Sequence, residues 1–295
     1  MMDETVREIA DAVLYEGYML YPYRQSSVKN RQRWTFGGLY PEAYAQRFGD
    51  ASSLTTEMLV EASGQPSIDV TVRFLHLMQR EDGVQEALPR DIGAGPFEFE
   101  AGVQTADGHR RHFEHLTGAV TVNIEPLTAG LYKVRVKVSN HTALPDPTLL
   151  SRDAASMFAL VSTHAIVRVQ GGEFVSLTDP PELYRQAASA CTNIGVWPVL
   201  AGVEGSRGCM LASPIILYDY PRIAPESAGE LFDGTEIDEI LSLRILTLTD
   251  GEKEEMRQAD PRTRRMLERT EAMSPEQLMK LHGVLRSPHA VESKP

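Results

Sequence analysis

The chain has 295 residues, is 42% hydrophobic and 24% charged, and carries a formal net charge of -12. That length and apolar content suffice for one large or two modest globular domains, and the acidic balance argues against a general nucleic-acid binder, which needs broad positive surface. No apolar run approaches the roughly 20 residues that cross a bilayer, the opening MMDETVREIA lacks a signal-peptide core, and two cysteines, Cys191 and Cys209, are too few for a disulfide framework. The expectation is a soluble cytoplasmic protein with reduced thiols.

In chain order, the first feature is GYMLYPYRQSSVKNRQRWTFGGLYP, residues 17–41, which holds four cations and no acid. The alternation of Ile68, Val70, Val72, Phe74, His76 and Met78 with Asp69, Thr71 and Arg73 predicts a half-buried strand. Phe97 and Phe99 precede Asp107-Gly108, whose residue types suit the positive backbone angles of a type I′ hairpin. Val120, Val122 and Ile124 give a further strand, and Tyr132, Val134, Val136 and Val138 alternate with Lys133, Arg135 and Lys137 in the cleanest strand pattern of the chain. The texture changes around Pro145 to Pro147. Beyond it come a strand near Phe158 to Val169, a turn at Gly171-Gly172, a short helix opened by Asp179-Pro180-Pro181, and apolar strands at Trp197 to Gly202 and Met210 to Tyr220. From Thr235 the period is helical, with Thr249, Asp260 and Ser274 as N-caps. The pattern predicts an α+β fold, an antiparallel β-sandwich-like core followed by a C-terminal run of short helices. Residues 1–148 form a mainly-β region, 149–230 a second β-rich or α+β lobe that is either separate from the first or continuous with it, and 231–295 a helical tail.

Several groups carry chemistry. Arg24, Lys29, Arg31 and Arg33 stand among Tyr21, Tyr23 and Trp34, and guanidinium groups both fork to carboxylates or phosphates and stack on rings, so this island is a candidate anion-binding or partner-docking surface. Its alternative role is internal: Asp233, Glu236, Asp238 and Glu239 form an acidic stretch able to neutralise it, and acids at a helix start are equally expected from the helix dipole. His109, His112, Glu114 and His115 are metal-ligand types, but in a strand they do not converge, so no metal or other cofactor is assigned. His76 on an apolar strand face reads as a core residue bonded to a carbonyl. Gly202, Gly205 and Gly208 precede a strand rather than a helix, which argues against a phosphate loop. Cys209 reads as a small packing residue.

The segments ADAVLYEGYMLYPYR and RWTFGGLYP, DPPELYRQAASACTNIGVWPVLAG, and SPIILYDYPRIAPESAGELFDGTEIDEILSLRILTLTD resemble an uncharacterised protein family encoded beside actinobacterial-type [NiFe] hydrogenases. The resemblance implies a cytoplasmic accessory role in hydrogenase assembly or operation, with a hydrogenase subunit or maturation factor as partner. Clustered cysteines and a Walker loop are absent from the sequence, which leaves a scaffold, chaperone or adaptor as the expected role. The alternative is an enzyme that holds an anionic metabolite with Arg24, Arg31 or Arg33.

Overall fold

In the computed structural model, residues 4–15, 36–144, 146, 148, 150–222, 245–258 and 261–274 are described. The chain divides into one unit of residues 1–19 and 31–223 and a second of residues 20–30 and 224–295. Among the described residues no helix is long and apolar enough to cross a membrane.

The first unit is the predicted antiparallel sandwich. Its strands are β1 (Ser53–Glu61), β2 (Ser67–Arg80), β3 (Gln85–Ile92), β4 (Gly95–Phe99), β5 (Gly102–Ala106), β6 (His109–Phe113), β7 (Leu116–Thr128), β8 (Leu131–Asn140), β9 (Val161–Gln170), β10 (Glu173–Val175), β11 (Trp197–Leu200) and β12 (Cys209–Ser213). One sheet runs β10-β1-β8-β7-β4; the other runs β11-β12-β9-β2 and continues into the β5–β6 hairpin, with β3 on the opposite edge of β2. Strands from both halves of the sequence interleave, since β2 pairs with β9 from Ser67↔Gln170 to Leu75↔Val161. Asp107 and Gly108 both have positive φ, as the hairpin chemistry requires.

Alternation along the strands divides the side chains between two environments. Leu54, Met58 and Val60 of β1, Val72 and Phe74 of β2, Val134, Val136 and Val138 of β8, and Ala165 and Val167 of β9 meet between the sheets. The outer face of the second sheet is covered by helix α1 (Glu4–Tyr15), whose Val6, Ile9, Ala10 and Val13 recur at helical spacing against Ile166, Val199 and Leu211. Helices α2 (Glu42–Phe48) and α3 (Arg152–Ser156) contribute Tyr44 and Ala155 to a cluster with Leu75 and Leu77. On the outer face of the first sheet, Leu59, Leu131 and Val175 pack under helix α4 (Arg185–Ser189), which follows a 3₁₀ turn at Glu182–Tyr184.

One difference from the sequence pattern lies at Met210 to Tyr220, where the strand ends at Ser213 because Pro214 supplies no N–H to continue the ladder. In the second unit, α5 (Asp250–Gln258) and α6 (Pro261–Glu271) pack together, with Glu271 within 3.2 Å of both Lys253 and Arg257. Thr249 caps α5 as anticipated: its hydroxyl accepts from the Glu252 N–H at 3.4 Å while the Glu252 carboxylate takes the Thr249 N–H at 2.9 Å, a closed capping box.

A close approach fixes the β4–β7 pair. Gly118 lies opposite Phe97 in register, and a Cβ there would fall 2.3 Å from the Ser139 carbonyl oxygen and 2.4 Å from the Phe97 ring. Gly118→Ala is therefore expected to destabilise the protein by about 2 kcal/mol or more, seen as a lowered urea midpoint; an unchanged midpoint would refute the packing argument.

Candidate functional site

One flank of the sandwich is closed by chain that crosses from the first sheet to the second, and a carboxylate sets its position. Glu57 lies on the outer face of β1, directly opposite Arg135 of β8, and its side chain is only 2% exposed. Its Oε1 accepts from Arg135 Nε at 2.7 Å and its Oε2 from the backbone N–H of Thr192 at 2.7 Å, with Lys133 Nζ 4.0 Å away. Burial by itself raises the Glu57 pKa, but the Thr192 N–H and the two cations outweigh it and hold the carboxyl below its ordinary value.

The neighbouring residues complete the latch. Asn193 Oδ1 accepts from the Thr56 hydroxyl at 2.7 Å and from the Glu57 N–H at 3.0 Å, while Ile194 and Thr55 exchange backbone hydrogen bonds at 2.8 and 3.1 Å. Gly195 then turns with φ 79°, Val196 enters the core, and Trp197 begins β11. After β12 the chain returns alongside β11, where Asp219 accepts from the Leu200 N–H at 2.8 Å and from the Ser176 hydroxyl at 2.5 Å, and the Tyr220 N–H donates to Leu200 O at 2.7 Å. Ile215 and Leu217 tuck against the α1 cluster. Alternation then turns Ile216 and Tyr218 away from that cluster, 75% and 82% exposed, while Ile194 at 58% and Trp197 at 43% are exposed on the crossing segment and the start of β11.

These four side chains are large, apolar and wet, on backbone held by hydrogen bonds to Glu57, Asn193 and Asp219. Side chains of this kind are suited to burial against another protein with little ordering cost. None of these seven residues carries a motif in the sequence that marks it as a site. A lone carboxylate inside the apolar run LTTEMLV was the one readable signal of the latch, because a buried charge needs a partner.

The residues singled out from sequence fall elsewhere. Tyr21, Tyr23, Arg24, Lys29, Arg31, Arg33 and Trp34, and with them Asp233, Glu236, Asp238 and Glu239, lie outside the described residues. The histidine group is dispersed: His109 sits against buried Arg80, the Glu114 carbonyl accepts from His76, and His115 Nε2 meets Glu98 at 2.9 Å, with Glu100 also near. Among the described residues this last trio, not the predicted four, is the set whose ligand atoms converge, within 4.8 Å of one another; two of the three are exposed. The glycine loop leads into β12 as expected. Cys209 packs partly buried near Ile166 and Leu211.

Two buried histidines and one thiol are poorly suited to catalysis. His76 donates from Nε2 to Glu114 O, and burial together with the Arg90 charge pulls its pKa down to about 4. His164 donates from Nδ1 to Ser162 O at 2.9 Å, and burial takes it to about 4 as well. It lies opposite Arg73, which ties α1 to the sheet through Asp11 at 2.7 Å and Asp91 at 2.9 Å. Ser162 at φ 53° is strained here, at the irregularity in the β2–β9 pairing, where the Ser162 and Thr163 N–H groups donate to Phe36 O and Gly37 O. Burial, reinforced by the Glu57 charge, pushes the Cys191 thiol up to about 11, far from a thiolate at neutral pH.

Glu57→Ala leaves the Thr192 N–H without its acceptor and is expected to cost about 2 kcal/mol, measured by urea unfolding; a loss within error would remove the latch from the account. The histidines give a pH signature. Each binds its proton near pH 6.5 when unfolded but near pH 4 when folded, so between those values the unfolded state holds more protons and stability falls as pH falls, by about 1.4 kcal/mol per pH unit for each. A urea midpoint that stays flat from pH 6.5 to pH 4.5 would contradict their buried neutral state.

No protein-family model matches the chain, and no curated protein is significantly similar to it.

Proposed function

We propose that the protein is a non-catalytic accessory protein, an adaptor or chaperone, that docks a protein partner on the flank formed by Ile194, Trp197, Ile216 and Tyr218. The observation that carries this reading is the simultaneous exposure of four large apolar side chains on backbone that buried polar latches hold in place. Scattered apolar residues at a surface need no explanation, but large aromatic and aliphatic side chains on hydrogen-bonded backbone are what interface hot spots are made of. The expected partner is the one implied by the sequence resemblance, a subunit or maturation factor of a [NiFe] hydrogenase. In support, Ile194, Trp197, Ile216 and Tyr218 all fall within the segments that carry that resemblance. The enzymatic alternative draws no support from His76, His164 or Cys191, whose environments hold them in unreactive protonation states.

Co-purification from a strain that carries the neighbouring hydrogenase genes tests the reading. Trp197→Ala with Tyr218→Ala is expected to reduce recovery of the partner at least tenfold, since each lost anchor removes about 2 kcal/mol, without change in the thermal midpoint. Asn193→Ala is expected to act in the same direction more weakly by loosening the presentation of Ile194. Equal recovery with the wild type and the double variant would rule out docking through this flank. Loss on Arg31→Glu with Arg33→Glu alone would transfer the role to the basic island.

A further inference from the structure

On the opposite flank, where the chain passes from β3 of one sheet to β4 of the other, two buried polar atoms lack partners. His76 is 0% exposed and its Nε2 donates to Glu114 O, which makes Nδ1 of the neutral ring an acceptor. Among the described residues nothing donates to that atom. Arg90 stands diagonally across the β2–β3 pair from His76, because Phe74 faces Arg90 and His76 faces Leu88 in register, and both side chains point to the interior of the sandwich. Its Nε is buried and makes no hydrogen bond, and among the described residues no carboxylate pairs with the guanidinium. By contrast, Arg73, Arg80 and Arg111 each hold one or two carboxylates.

Aromatic rings surround this unmatched pair. The Arg90 guanidinium lies 4.6 Å from the centroid of Phe99 and 5.9 Å from that of Phe113. The His76 ring is 6.1 Å from Phe99 and 5.4 Å from Phe113, and Phe97 and Phe74 continue the wall behind them. Two glycines set these rings in place: Phe97 lies across Gly118, and Phe113 across Gly102, where an added Cβ would come 2.7 Å from the ring. Phe97, Phe99, Phe113 and Arg90 are all partly exposed, so the cluster reaches solvent.

We propose that this flank is a binding site for a small hydroxylated organic acid with an apolar, preferably aromatic, body. The carboxylate accepts from the Arg90 guanidinium, the hydroxyl donates to His76 Nδ1, and the body lies on Phe97, Phe99 and Phe113. Each assignment follows from what the described residues leave unmet: a cation without an anion, an acceptor without a donor, and aromatic rings packed around both. The site is independent of the docking flank, and its test uses the isolated protein, so failure of partner capture and failure of ligand binding are separate results.

Phenyllactate is the probe, with phenylpropionate as the same acid lacking the hydroxyl. Titration of the wild type, followed by heat and by the nitrogen resonances of the His76 ring, is expected to show saturable phenyllactate binding that moves the Nδ1 signal. Phenylpropionate is expected to bind about tenfold more weakly for want of the donor, and Arg90→Gln about fiftyfold more weakly for want of the cation. Arg90→Lys keeps a charge without the fork and is expected to retain part of the affinity, which separates loss of recognition from loss of folding. Absence of binding to the wild type, equal affinity for the two acids, or an Nδ1 signal that does not move each overturns the proposal, the last by showing that water alone satisfies the pair.

Discussion

The crossing between the two sheets depends on one carboxylate that has been roofed over. Glu57 stands on an outer sheet face, where charge is ordinarily solvated, yet the segment from Thr192 to Ile194 lies across it. Removing a carboxylate from water is costly, and here the cost is offset by the backbone N–H of Thr192 and by Arg135, which itself stays half exposed. The interaction is directional. Apolar contact alone would let the crossing segment slide along β1, whereas a hydrogen-bonded carboxylate and the paired bonds of Asn193 admit one register. Everything downstream, from Val196 entering the core to the path of β11, inherits that register.

The buried arginines of this fold differ in whether a carboxylate meets them, although Arg73 Nη1 and Arg80 Nε also go without a hydrogen bond among the described residues. Arg73 with Asp11 and Asp91, and Arg80 and Arg111 with Glu86, are matched sets that tie α1 and the β5–β6 hairpin to β2 and β3. Among the described residues no group matches His76 Nδ1 or the Arg90 guanidinium, and their environment is aromatic rather than ionic. Matched sets specify the fold, while unmatched groups retain free-energy to be gained from something added.

Much of the sandwich was legible because its strands alternate cleanly. Tyr132 to Val138 and Ile68 to Met78 each place one row between the sheets and the other outside, and Asp107-Gly108 announced its turn through the angles those residues tolerate. Several elements escaped, α1 and β1 among them. The spacing of Val6, Ile9, Ala10 and Val13 in α1 is helical, but it sits in an acidic stretch that drew attention to charge. β1 is buried on both faces, so Leu54 to Val60 show no alternation, and Glu57 interrupts the run. The candidate flank was illegible for a different reason: Trp197, Ile216 and Tyr218 look like core residues in sequence, and only the tertiary path of the chain decides that they face water. The pairing of His76 with Arg90 is likewise a matter of register across two strands, which composition does not encode.

Pro89 sits within β3, opposite Leu75, on the free edge of its sheet. A strand that sought to extend this sheet would meet a residue with no N–H to offer. Backbone-mediated annealing of a second chain is thereby discouraged on this side, so the border can stay bare in a crowded solution without seeding fibres. Such an edge is one that small molecules can approach and other sheets cannot.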